Sequence, residues 1–421
     1  MTTMSDLSDD LVGEILCRVP TTSLRSIRST CKKWNALSKT QSFAKAIAAR
    51  QQFLGFIMMS SRVCSLRLYL QGIFKDEHGD CVAPFGSIKE VSIPNQVDIA
   101  NIFHCDGLLL CVIKGKNSSL LVWNPYLGQT KWIQVPPGNT FNRLYMYSLG
   151  YDNNNKHKIL SFMDGYDQYY KCEIYDFNFN SWKVLDVNPD WNPKSHPKRR
   201  SVSLKGNTYF FARKELHVKE TENFLLCFDF TTESFGPRLP LPLCFGDRDS
   251  MALSCVREEK LAVLYDQWDI IEIWITTKIE PNAISWSKFL KVDKTRRTGF
   301  RNYFSDHIGV ASFFIDEEKK LAVIFDIDKC YPPICYYDKA YVIGEDEYIK
   351  HVKIREDHNV NKFGSIPGRF GLPVVCSSYV PSLVQLHANQ PIGKRESNEN
   401  QSVNRSKPAL MTKWGCGLCF F

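Results

Sequence analysis

The chain has 421 residues, 44% of them hydrophobic and 23% charged. That is enough apolar content for packed cores and too much chain for one small domain, so two or three domains are expected. Lys and Arg number 53 against 45 Asp and Glu, a net charge of +8 spread too thinly to argue for nucleic acid, whose binders gather basic residues on one face. Fifteen Cys, scattered without a repeated short spacing until the tail, argue against a disulfide scaffold. No apolar run is long enough for stable membrane insertion, and no apolar signal segment precedes Pro20. Reduced thiols packed as small core residues are therefore expected, in the cytoplasm or nucleus.

The first 48 residues read as three helices. Ser8-Asp9-Asp10 can cap a helix and complement its positive end. Leu11, Val12, Ile15, Leu16 and Val19 then recur on one helical face until Pro20 stops the helix. Thr21 or Thr22 can cap a second helix, with Leu24, Ile27, Cys31 and Trp34 on or beside its inner stripe; Leu37, Phe43 and Ile47 mark a third. A unit of about 45 residues buries too little surface to stand alone. Some of this stripe must therefore be completed by another surface, either the rest of the chain or a partner.

The run Leu7-Ser8-Asp9-Asp10-Leu11-Val12-Gly13-Glu14-Ile15-Leu16-Cys17-Arg18-Val19-Pro20, followed by Ser23-Leu24, Arg28 and Cys31-Lys32-Lys33-Trp34, resembles an F-box. It departs from that family's pattern at Ser8, where Pro is usual, and at Thr30, where Val is usual; both changes could weaken partner binding without abolishing the fold. The resemblance implies docking on a SKP-type adaptor, and through it on a cullin–RING ubiquitin ligase. It places Leu7, Leu11, Ile15, Leu16, Pro20 and Leu24 at the adaptor surface, with Cys31 and Trp34 in or beside it. The alternative is that several of these residues only hold the three helices together.

From about Gln52 the texture changes to short apolar runs separated by Gly, Asn, Asp and Pro, which is how strands and turns read. Aromatic residues that close a strand–turn–strand pattern, Trp132, Trp182, Phe235 and Trp286, are spaced by 50, 53 and 51 residues. A second set of runs, beginning at Leu108, Lys158, Thr208, Leu261 and Leu321, keeps the same phase. A period near 50 with about four strands per unit suits a β-propeller with kelch-like spacing, although kelch glycine pairs are missing. Five units are counted and a sixth is expected at Phe53–Val97; a pair of β-sandwiches is the competing architecture. Cys105-Asp106-Gly107-Leu108-Leu109-Leu110, Trp123-Asn124-Pro125, Leu149-Gly150-Tyr151-Asp152 and Glu173 through Leu185 resemble, in order, phrases of the F-box-associated domain of the large plant F-box family. The expected fold class is thus multidomain: a small all-α F-box of three helices (1–48), an all-β, irregular β-propeller-like domain (49–385), and a polar, disordered tail (386–421).

No phosphate-binding glycine loop follows a strand; Gly364, Gly368 and Gly371 are spaced as in a loop. His351 and His358 read as surface histidines. Cys416 and Cys419 form the lone C-x-x-C, with no second pair to complete a zinc site, and are read as part of an inert tail over a site of acylation. Lys194, His196 and Lys198-Arg199-Arg200 read as a solvated loop. Asp152, Asp176, Asp229, Asp266 and Asp326 recur at strand ends, as turn caps do. No cofactor and no metal are expected. The function expected is substrate recognition within an SCF-type ubiquitin ligase, without catalysis by this chain. The head would take the adaptor and the propeller loops an unknown target protein. The alternatives are a propeller enzyme acting on carbohydrate, which would need convergent carboxylates near the axis, and a scaffold working outside any ligase.

Overall fold

The computed structural model describes residues 7–19, 21–50, 54–59, 61–68, 86–91, 93, 97–115, 119–136, 145–163, 171–187, 191, 201–217, 220–244, 250–267, 269–294, 312–330, 335–345, 348–356, 374–376 and 379–386. Met1–Ala388 form one compact unit. The rest of the chain, with Cys416 and Cys419, lies outside the described residues, as do Pro20, the Lys194–Arg200 cluster, His358 and Gly364–Gly371.

The head has four short helices where three were expected: α1 (Asp9–Cys17), α2 (Leu24–Arg28), α3 (Lys32–Leu37) and α4 (Gln41–Arg50). Ser8 caps α1 from an extended backbone, its hydroxyl accepting from the Leu11 amide at 3.4 Å. The expected second helix is broken in two. Ser29 Oγ and Thr30 Oγ1 donate to the Ser26 and Ile27 carbonyls at 2.6 and 2.7 Å, occupying acceptors that the next helical turn would need. Cys31 is then extended (φ −146°, ψ 127°) before α3 begins.

The β body comprises 24 strands in six four-stranded antiparallel sheets, a six-bladed propeller; the sandwich alternative does not hold. Blade 1 contains β1 (Leu54–Met59), β2 (Arg62–Leu68) and β3 (Gly86–Glu90), with β24 (Val374–Cys376) innermost. Blade 2 contains β4 (Ile99–Cys105), β5 (Leu108–Ile113), β6 (Ser119–Asn124) and β7 (Gln129–Gln134). Blade 3 contains β8 (Tyr145–Tyr151), β9 (His157–Met163), β10 (Cys172–Asp176) and β11 (Ser181–Leu185). Blade 4 contains β12 (Val202–Leu204), β13 (Asn207–His217), β14 (Glu220–Asp229) and β15 (Ser234–Phe235). Blade 5 contains β16 (Ser250–Val256), β17 (Lys260–Asp266), β18 (Ile270–Glu280) and β19 (Ala283–Asp293). Blade 6 contains β20 (Ser312–Asp316), β21 (Leu321–Cys330), β22 (Cys335–Gly344) and β23 (Ile349–Glu356). The first strands of successive blades touch all the way round, β24 returning to β4. The sixth unit expected near Phe53–Val97 is real, but its innermost strand comes from the far end of the chain, with Phe56 opposite Cys376 and Met58 opposite Val374.

Six apolar cores lie between adjacent blades. Alternate residues of one strand face opposite neighbours: Leu109 and Cys111 pack toward blade 1, Leu108 and Leu110 toward blade 3. Both faces are buried, which is why these strands read as continuous apolar runs. Each such leucine contributes about 1.5–3 kcal/mol of burial. The near 50-residue period has its cause here too. Trp182 Nε1 donates to the Gln134 carbonyl of the preceding blade at 2.9 Å, and Trp286 Nε1 to the Pro240 carbonyl at 2.9 Å. Asp152, Asp176 and Asp229 cap turns, accepting from backbone amides at 2.7–3.4 Å. Asp266 instead pairs with Lys294, and the Asp326 side chain lies outside the described residues. Ten of the cysteines are free thiols, seven of them buried; Cys330 and Cys335 are placed by their backbone alone.

Blades 2 to 6 are antiparallel meanders, so their first-to-second and third-to-fourth turns share one face of the propeller. The remaining connections share the other face. The helical head sits on the first of these faces.

Candidate functional site

α1 is two-sided. Val12, Leu16 and Cys17 are buried, while Leu11 and Ile15, one turn apart on the opposite side, are 54% and 42% exposed. Lys33 fixes the start of the helix by bonding the Leu7 carbonyl and the Asp9 carboxylate, at 2.8 and 2.9 Å. Of the residues expected at a partner surface, Leu11 and Ile15 are thus open. Leu16 and Leu24 are fully buried, and Leu7 and Trp34 pack half-buried against the same core. Cys31 is half-buried at the start of α3, and Pro20 lies outside the described residues. The Trp34 indole N–H is buried without a hydrogen-bond partner among the described residues.

The surface that completes the head's core belongs to this chain. Tyr126 and Leu127, in the turn between β6 and β7, join Val12, Leu16, Cys17, Leu24, Phe43, Ala44 and Ile47 in one cluster, with Leu383 packed against it. Arg28 locks the seam. Its Nε and Nη2 donate to Ser38 Oγ and the Ser38 carbonyl at 2.9 and 3.1 Å, and its Nη1 donates to the Tyr126 carbonyl. The guanidinium lies 4.5 Å from the centre of the Tyr126 ring, whose hydroxyl donates to the Ser38 carbonyl. Burial pushes the Tyr126 phenol up to about 12 and lowers the Arg28 guanidinium from its usual value.

The turn is built to be approached closely. Asn124 Oδ1 accepts from the Leu127 amide at 2.9 Å, while its Nδ2 donates to the Ser382 and Val384 carbonyls at 3.0 and 2.9 Å. Gly128 is left-handed (φ +68°), and a Cβ there would come within 2.6 Å of Arg25 Cδ. The Trp123-Asn124-Pro125 phrase therefore acts locally, shaping the seat of the helices and tying down residues 382–384. Sequence reasoning missed Tyr126 and Leu127. The available signal was two large apolar residues in a turn, where polar ones are usual.

On the opposite face the fourth strand of each blade connects to the next blade. The intervening residues 135–144, 186–201, 294–311 and 357–373 fall largely outside the described residues, while in 236–249 residues 236–244 are described. In sequence these connections are far longer than the head-side turns at 106–107, 205–206 and 257–259.

Comparison with known proteins gives two family matches. Residues 4–45 match the F-box domain, and residues 54–386 match the F-box associated beta propeller domain. The Arabidopsis thaliana F-box protein At3g49510 is 54% identical over 405 residues, covering 92% of this chain and 100% of that protein. The Arabidopsis thaliana F-box/kelch-repeat protein At3g13680 is 52% identical over 414 residues, covering 94% of this chain and 100% of that protein. Among solved structures, a polysaccharide lyase, an ulvan lyase, matches with a TM-score of 0.35 and 10% identity, over 61% of this chain and 70% of its own. Likeness at that level carries no argument about chemistry.

Proposed function

The chain belongs to the F-box proteins that carry an F-box-associated β-propeller, and from that membership we propose that it is the substrate-recognition subunit of an SCF-type ubiquitin ligase. In this reading residues 1–48 are the adaptor-binding head, 49–385 the target-binding body and 386–421 a tail. A SKP-type adaptor covers the outer side of α1, burying Leu11 and Ile15. Leu7, Pro20, Cys31 and Trp34 lie along the margin of that contact, while Leu16 and Leu24 support it from beneath. The protein target is taken by the long connections of the face opposite the head. The chain itself makes and breaks no bond. It holds target lysines near the ubiquitin-charged enzyme and raises their local concentration. Such a subunit works in the cytoplasm or nucleus.

The observation that carries the reading is the exposure of Leu11 and Ile15 on a head whose other described α1 apolar residues are packed away. Isolated exposed apolar residues are ordinary, but two of them aligned on one helix of an F-box make a ready contact. In the test, the purified full chain is mixed with a plant SKP-type adaptor. Co-elution is expected from the natural chain and not from a chain carrying both Leu11→Asp and Ile15→Asp. Undiminished co-elution of the doubly substituted chain would remove this side of α1 from the interface.

A further inference from the structure

On the head-side mouth of the propeller axis, ionisable groups from three blades converge. The end of β4 supplies His104 and Cys105 and the β4–β5 turn Asp106; on the blade three steps round the ring, the β16–β17 turn supplies Glu258 and the end of β16 Cys255. Blade 3 supplies Tyr151 and His157. Glu258 Oε1 lies 3.9 Å from His104 Nε2, which accepts the Gly107 amide at 3.2 Å, and His157 Nε2 lies 3.3 Å from Asp106 Oδ2. Tyr379 packs against the His104 ring, centroids 5.7 Å apart, and Tyr151 against His157 at 5.6 Å. Arg257 and Glu258 are both left-handed (φ 51° and 56°), as a tight hairpin turn requires, and this conformation aims Glu258 inward. The basic residues nearest in sequence are engaged elsewhere, Arg257 with Glu318 and Lys260 with Glu317, each at 2.6 Å. Among the described residues, neither Asp106 nor Glu258 has a lysine or arginine ion-pair partner.

The turn holding Asp106 also grips the end of the fold. Gly107 (φ +69°) is pressed so closely against the C-terminal segment that a Cβ would meet the Val380 carbonyl at 2.3 Å and Ser382 Cβ at 2.6 Å. That segment continues to Leu383, which packs under the helical head.

We propose that this mouth is a proton-operated latch: neutral Glu258 lets the β16–β17 turn close on the β4–β5 turn beside His104, and ionised Glu258 repels Asp106 and loosens the C-terminal segment pressed against Gly107, which runs on beneath the head. Partial burial, with Asp106 adding repulsion, raises the Glu258 carboxyl to about 7, while a third of the side chain stays exposed. Burial likewise holds His104 down at about 4, so it is neutral and cannot serve as the missing cation near neutral pH. Burial also raises the Cys105 and Cys255 thiols and the Tyr151 phenol, the last two to about 12, so none of the three adds charge below pH 8. A carboxylate raised in the folded state lends stability that is fully present below its ordinary value and is lost as pH climbs through 7.

The test uses the full chain and Glu258→Gln, a neutral isostere that mimics the closed latch. Melting temperature and amide exchange, corrected for the intrinsic pH dependence of exchange, are followed from pH 5 to pH 8. Taking the difference between the two proteins cancels the titration of groups distant from Glu258, and leaves Glu258 with its neighbours His104 and Asp106. The substituted chain is expected to gain on the natural one progressively between pH 5 and pH 7 and to level off above. Residues 379–386 and the four helices should show the corresponding relative protection. A difference that stays flat across the range overturns the latch. So does a difference confined to the blades, or a Glu258→Gln chain that fails to fold, because the neutral isostere must be tolerated.

Discussion

Tyr126→Ala deletes a fully buried ring from the seam between head and propeller. Removing a buried aromatic side chain costs about 3–5 kcal/mol. Two further losses accompany it, the hydroxyl bond to the Ser38 carbonyl and the face on which Arg28 rests. Tyr126→Phe removes only the hydroxyl bond, about 1 kcal/mol. The nine buried members of the head's cluster include two from the β6–β7 turn. The penalty therefore falls on docking of the four helices and not on the blades, whose six cores are elsewhere. At about 1.4 kcal/mol per factor of ten, opening of the head should become easier by roughly two to three and a half orders of magnitude in the alanine variant and by under one in the phenylalanine variant. Amide exchange read by mass spectrometry, peptide by peptide, tests this. Exchange should accelerate in α1–α4 and in residues 379–386, in that graded order, with β9, β17 and β21 unchanged. Natural protection of the helices in Tyr126→Ala would refute the seam, as would acceleration spread evenly over all six blades.

Other outcomes follow from the same geometry. Leu11→Asp and Ile15→Asp should each leave the melting temperature unchanged, since both side chains are about half exposed. In an adaptor titration each should lower affinity by roughly tenfold or more, as about 1 kcal/mol of burial is lost and an unpaired charge is buried in its place. Leu16→Asp should instead unfold the head, visible as lost helical circular dichroism. Gly128→Ala forces a left-handed alanine, about 1–2 kcal/mol, against the flexible Arg25 side chain; the expected result is a small drop in melting temperature with adaptor binding retained. A chain ending at Pro373 lacks β24 and residues 379–386, and should lose cooperative melting because blade 1 is left without its innermost strand.

The parts of this fold that can be read from the chain are those where local pattern and tertiary packing coincide. The closing aromatics keep their spacing because Trp182 and Trp286 each bond a preceding blade, and the Leu108–Cys111 run is apolar throughout because both its faces are covered. Where packing is non-local, the pattern is silent or misleading. Val374–Cys376 carries no mark of its pairing with Phe56–Met58, since ring closure joins opposite ends of the propeller. The stripe Leu24, Ile27, Cys31 and Trp34 keeps a helix-like spacing straight across the break that Ser29 and Thr30 impose. Periodicity places Leu11, Ile15 and Leu16 on one stripe, but it takes the Tyr126 turn to decide which side is covered by the chain itself. Glu258 reaches His104 from a turn three blades away in a ring of six, a relation that no window of sequence contains.

The closure of the ring by β24, together with the strip that runs on to Leu386, sets an order of events during synthesis. Leu16 and Leu24 are made about 360 residues before Leu383, which packs against their cluster. At translation rates of about 5–20 residues per second, the interval from Leu24 to Leu383 is roughly 20–70 s. Tyr126 and Leu127 can seat the helices early in that interval, and the contact with Leu383 is added only at its end.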